Sequence, residues 1–153
     1  MTRLILMCGL PGAGKTTRAV ALAARLSAVR LSPDEWLTGL GLDLHDVPLR
    51  ERLEQLLWRH TRDLLVLGQD VILEYGFWGR SERDEKRRAA RELGVTVHLI
   101  YLHAPLDELI RRVEARNQIG PVVVTAAQMA EFATWFQAPD AAELARFDPL
   151  PWP

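Results

Sequence analysis

Arg3-Leu4-Ile5-Leu6-Met7-Cys8-Gly9-Leu10-Pro11-Gly12-Ala13-Gly14-Lys15-Thr16-Thr17 is the stretch whose reading decides the fold. Arg3 to Cys8 reads as a buried strand, Gly9 to Gly14 as a loop, and Lys15 to Leu26, rich in Ala and Leu, as a helix. Gly9 to Thr16 matches GxxxxGK[ST] and lies where that pattern works, after a strand and at the start of a helix. Glycines let the backbone N–H groups of Gly9, Leu10, Gly12, Ala13 and Gly14 converge on phosphate oxygens around Pro11, and the helix N-terminus adds partial positive charge. The expected guest is a triphosphate, and the loop alone does not separate kinases from GTPases, ATPase motors and regulatory nucleotide binders. Lys15 would bridge the β- and γ-phosphates, the Thr16 hydroxyl would ligate Mg²⁺, and Thr17 would follow near the α-phosphate.

Working outward, the chain has 153 residues, 48% of them apolar, with formal net charge −1. That size fits one domain over residues 1–153. No stretch approaches the roughly 18 apolar residues of a membrane span, and the Leu4 to Cys8 run is too short for a signal peptide. With Cys8 the only cysteine, no disulfide framework exists, and a cytoplasmic monomer or homodimer is expected. Near-zero charge gives no footprint for nucleic acid. Of the 19 Lys and Arg residues only Lys15 and Lys86 are lysine, a skew that genome composition explains, yet Lys15 stands inside a glycine-rich loop.

Short apolar runs alternating with amphipathic stretches imply an α/β architecture: a parallel sheet of about five strands with helices on both faces. Val29 to Ser32 is a second strand. Pro48 and Gly68 bracket a helix whose Leu49, Leu53, Leu56, Leu57, Leu64 and Leu65 follow the 3.6 period. Val71 to Leu73 is a third strand ending at Glu74, and Ser81 with Asp84 resembles a capping box for a helix closed by Gly94. Val95 to Leu102 is a fourth strand. Pro105 opens a helix carrying Leu109, Ile110 and Val113, Asn117 to Val124 is a loop containing Gly120-Pro121, and Thr125 with Gln128 caps a helix to about Phe136. From Ala138 the tail carries at most a short edge strand at Ala145 to Phe147.

Other strand ends supply the remaining chemistry. Asp34, just past the second strand, stands where an acceptor hydroxyl would lie and could take its proton; as the alternative, it caps a helix after Pro33. Glu74 ends the third strand, a place for an acid that holds Mg²⁺, its water shell or the acceptor, or for an ion pair with Arg80 or Arg83. Arg112 and Arg116, four apart on one helix face, could reach a triphosphate together or remain solvated. Trp36 and Trp78 follow the two acids and could pack on an acceptor ring, although core packing explains such residues as well. The histidines lack metal-ligand spacing, and no guanine-reading NKxD follows the fourth strand, where Leu99 to Pro105 reads LIYLHAP.

GLPGAGKTT at Gly9 to Thr17, LSPDEW at Leu31 to Trp36, ILEYGFWGRSERD at Ile72 to Asp84, RRVEARN at Arg111 to Asn117 and FQAPDAAE at Phe136 to Glu143 together resemble the small P-loop kinases. Relatives of that group include chloramphenicol phosphotransferase, zeta toxins and polynucleotide kinase. The resemblance implies a three-layer P-loop fold with a short helical lid over about residues 112–127. It implies that Asp34 activates the acceptor hydroxyl, that Arg83 lies near the acceptor, that Arg112 and Arg116 are lid arginines, and that Phe136 to Pro139 borders the adenine. Glu74 stands where relatives often have Asp.

The leading expectation is therefore an ATP- and Mg²⁺-dependent kinase acting on a hydroxyl of a small molecule, such as an antibiotic, sugar, nucleoside or other metabolite. A polynucleotide 5′-hydroxyl kinase would need a basic acceptor channel and strongly salt-dependent binding, which the neutral charge disfavours. A zeta-like toxin would arrest growth, and a regulatory ATP-binding protein would bind nucleotide without forming a phosphorylated product.

Overall fold

The computed structural model describes residues 1–120 and 122–151, so Pro121 of the Gly120-Pro121 pair lies outside the described residues. Four strands are present: β1 (Arg3–Cys8), β2 (Val29–Leu31), β3 (Val71–Gly76) and β4 (Thr96–Tyr101). They form one parallel sheet in the order β2-β3-β1-β4. The helices are α1 (Lys15–Leu26), α2 (Pro33–Gly39), α3 (Val47–Val66), α4 (Arg80–Glu92), α5 (Leu106–Asn117), α6 (Ala126–Trp135) and α7 (Ala141–Leu144).

Strand side chains alternate between the two faces. Ile5, Met7, Ile72 and Ile100 face Ala19 and Leu22 of α1. Leu4, Leu6, Val71, Leu73, Val97 and Leu99 pack on the other side with Leu57 and Leu65 of α3 and Ala90 of α4. A smaller cluster joins Leu10 of the glycine loop to Leu109 and Val113 of α5 and Met129 of α6, so α5 and α6 are anchored on the loop itself.

Three elements differ from the sequence expectation. The stretch after β2 forms α2: Ser32 is the N-cap, accepting from the Glu35 N–H at 3.4 Å, and Pro33 fills the first turn, so Asp34 is a helix residue and not the cap. Helix α4 begins at Arg80 behind Gly79, without a side-chain cap, which leaves Ser81 inside the helix. A fifth strand is absent among the described residues. Its place beside β4 is taken by irregular chain: Asp148 N–H donates to the Val97 carbonyl at 2.8 Å, and the Asp148 carboxylate accepts from Val97 N–H at 2.8 Å. One side chain thus substitutes for a ladder bond, and Ala141–Leu144 is a short helix upstream of it. The capping box of Thr125 and Gln128 is present as read.

Candidate active site

The glycine loop joins the carboxyl end of β1 to α1. Gly12 and Gly14 take φ of 84° and 94°, in the left-handed region that glycine tolerates. A Cβ on Gly9 would lie 2.5 Å from the Leu102 carbonyl oxygen, and one on Gly12 3.0 Å from that of Leu109, so close packing demands glycine at both. At Gly14 nothing beyond the adjoining chain lies within 4 Å of a Cβ position, leaving room above the N-terminus of α1 for a phosphate. Lys15 Nζ donates to the Leu10 carbonyl at 2.8 Å, which folds the ammonium back across the loop. Burial pushes Lys15 down from 10.5 to about 8, while Glu74 and Asp34 pull it upward. Thr17 is exposed on the first turn of α1.

Thr16 faces the third strand, and its hydroxyl donates to Glu74 Oε1. The other oxygen of Glu74 accepts from Arg30 Nη1 at 2.7 Å, so its partner is Arg30 on β2 and not Arg80 or Arg83. Asp34 is paired with Arg50 of α3, which also donates to Glu54 at 3.2 Å. Burial, opposed by Arg50, pushes Glu54 up from 4.5 to about 7. Neither Arg30 nor Arg50 was singled out from the sequence. A cleft of about 580 Å³ brings Thr16, Asp34, Glu74 and Arg116 together, with Glu35 and Thr38 on its wall. Arg112 stands beside it, its Nη1 donating to the Gly12 carbonyl at 3.2 Å and its Nε to Glu108 at 3.1 Å.

The remaining residues lie elsewhere. The Arg83 guanidinium is fully buried: it donates to both oxygens of Glu143 at 2.6 and 2.9 Å and to the carbonyls of Phe77 and Gln137 at 2.8 Å. It thereby braces the corner after β3, where Phe77 takes φ 48°, and has no free donor face toward an acceptor. Trp78 supports the glycine loop, donating from Nε1 to the Gly9 carbonyl at 3.2 Å and packing on Phe132 at 5.0 Å. Trp36 is exposed on α2 and does not line the cleft. Phe136 stacks on Tyr101 at the end of β4.

No group of three or more His, Cys, Asp or Glu side chains able to hold a metal occurs among the described residues. One hydroxyl with one carboxylate beside an open phosphate cradle nevertheless suits Mg²⁺, which keeps most of its waters and takes few protein ligands.

Residues 4–139 match the AAA-domain family. The chain belongs to that family and is a small P-loop kinase. This kinase is 34% identical to the adenylyl-sulfate kinase of Myxococcus xanthus, over 92% of this chain and 79% of the relative. It is 28% identical to shikimate kinase 2 of Escherichia fergusonii, over 78% of this chain and 65% of that protein. Among solved structures, the Pnkp1/Rnl/Hen1 RNA repair complex matches with a TM-score of 0.77 and 21% identity over 96% of the kinase and 46% of that chain, a likeness of fold. Like such kinases, the protein is a phosphotransferase that uses ATP and Mg²⁺. No described helix is long and apolar enough to cross a membrane.

Proposed function

We propose that the kinase transfers the γ-phosphoryl group of ATP to a hydroxyl of a small molecule: a sugar, nucleoside, antibiotic or other metabolite. The observation that carries this reading is the cleft that Asp34 lines together with Thr16, Glu74 and Arg116. A carboxylate there takes the proton of the acceptor hydroxyl as its oxygen bonds to the γ-phosphorus. The bond from that phosphorus to the β,γ-bridging oxygen breaks, and ADP leaves. Arg50 holds the Asp34 carboxylate in place at the first turn of α2.

Lys15 and the N–H groups of Gly12 and Gly14 bind the phosphates, while the N–H groups of Gly9 and Ala13 donate to the carbonyls of Gly76 at 2.9 Å and Leu10 at 3.2 Å. Thr16 and Glu74 would hold Mg²⁺, which neutralises charge between the β- and γ-phosphates when bound. Arg116 stabilises charge on the transferred group, and Arg112 fastens α5 to the loop at Gly12. About residues 112–127, from the second half of α5 to the start of α6, act as a lid over the donor site, and residues 1–153 work as one catalytic domain. The two curated relatives are named for small-molecule substrates, in keeping with this choice of acceptor.

Asp34→Asn tests the assignment. It should bind a fluorescent ADP analogue within about 2-fold of the native protein while acceptor-dependent ADP formation falls roughly 100-fold or more. Near-native turnover would remove Asp34 from the proton-accepting role.

A further inference from the structure

The acid in β3, which runs on past the expected end at Glu74 to Gly76, is a glutamate, one methylene longer than the aspartate that usually holds Mg²⁺ in P-loop enzymes. A longer side chain has more rotamers, so its carboxylate needs an external restraint to stay beside Thr16. Arg30 supplies one. It pairs in register with Ile72 across the parallel β2–β3 ladder, and the two-residue period puts Glu74 on the same face, above α1. Its Nη1 donates to Glu74 Oε2 at 2.7 Å, while Glu74 Oε1 accepts from Thr16. Its Nη2 donates to both oxygens of Glu35, the neighbour of Asp34 on α2, at 2.7 Å. The Arg30 and Glu74 side chains are only 18% and 7% exposed, so the Arg30–Glu74 contact is largely shielded from water.

We propose that Arg30 is a positioning residue that clamps the Glu74 carboxylate against Thr16, letting a glutamate serve the Mg²⁺ position, and ties that position to the α2 turn carrying Asp34. The rigid guanidinium fork suits two simultaneous carboxylate contacts where a lysine ammonium would not. This rests on the Mg²⁺ role of Glu74 stated above.

The test is the Mg²⁺ dependence of nucleotide binding, read by a fluorescent ADP analogue and by Mn²⁺ paramagnetic resonance, neither of which requires turnover. Arg30→Met should raise the Mg²⁺ needed for half-maximal ADP binding by about 10-fold, as losing an outer-shell partner of a metal ligand does. Its ADP affinity in EDTA should stay within about 2-fold of native, because the phosphate cradle is intact. Arg30→Lys should fall between, and it keeps the test available if the methionine variant does not fold. Glu35→Gln, which leaves the Glu74 contact in place, should shift the Mg²⁺ requirement by less than about 2-fold. If Glu74→Gln raises the Mg²⁺ requirement and both Arg30 variants leave it native, the clamp is overturned and the Mg²⁺ role of Glu74 stands. If Glu74→Gln itself changes nothing, that role fails and the clamp with it.

Discussion

Lys15 holds its charge in a desolvated position with a backbone carbonyl as its hydrogen-bond partner. Below about pH 8 both the folded and unfolded chains carry this proton, and the fold bears the full cost of the buried ammonium. Between about 8 and 10.5 the unfolded chain holds more protons, so this contribution to stability improves as pH rises. Lys15→Met removes it. We predict that the variant without nucleotide melts above the native protein at pH 7, that the gap closes toward pH 10.5, and that ATP binding weakens about 100-fold. A variant that melts lower at pH 7 would contradict this account. Arg83 invites the opposite expectation. Removing one partner of a buried ion pair costs about 3–5 kcal/mol, so Arg83→Met should lower the urea midpoint sharply. A selective rise in acceptor KM at native stability would instead put Arg83 back beside the acceptor. Lys15 and Thr16 were legible from sequence because they belong to one contiguous loop motif, although Thr16 meets Glu74 58 residues away. Arg30 and Arg50 were not, because each meets its site carboxylate, Glu74 or Asp34, only after the strands and helices assemble. The RSERD stretch announced an arginine at position 83 without saying which way it points.

At the scale of elements, strands and long helices followed from apolar runs and the 3.6 period, whereas short elements depended on tertiary context. Helix α2 is seven residues long, and its Ser32-Pro33 start reads equally as a turn. The missing fifth strand has a physical cause: Asp148 covers the β4 edge with its carboxylate and one backbone bond, and Arg91 pairs with that carboxylate at 2.6 Å. Asp148→Ala should therefore cost about 1–3 kcal/mol by urea unfolding, because Val97 N–H loses its acceptor at a sheet edge. An unchanged midpoint would mean that water replaces the carboxylate there. In α5, Arg116→Ala should lower kcat about 10- to 1000-fold with a smaller change in ADP affinity, since in the proposed reaction its charge acts on the group being transferred. A pure loss of ADP affinity would place Arg116 on the leaving nucleotide alone.

Across the whole molecule, the chain following β1 and β2, Glu74 of β3 and the end of α5 meet at one cleft. β1 brings the phosphate loop, β2 leads into Asp34, β3 ends near Glu74, and α5 contributes Arg116. The sequence placed the donor half of this site through one contiguous motif. The residues proposed for the acceptor half are scattered along the chain, and only the sheet order brings them together. ATP with Mg²⁺ at 100 times its Kd should raise Tm by about 5–10 °C in a chain of this size, checked by thermal melting. The central claim, phosphoryl transfer to a small-molecule hydroxyl, is tested most directly by acceptor-dependent ADP release. The full chain would be supplied with ATP, Mg²⁺ and a panel of sugars, nucleosides, shikimate, aminoglycosides and a 5′-hydroxyl oligonucleotide. The account predicts that at least one small hydroxyl compound raises ADP release by about 10-fold or more over the acceptor-free rate, with little dependence on salt. ADP release that no small compound raises, or that only the oligonucleotide raises, would contradict it.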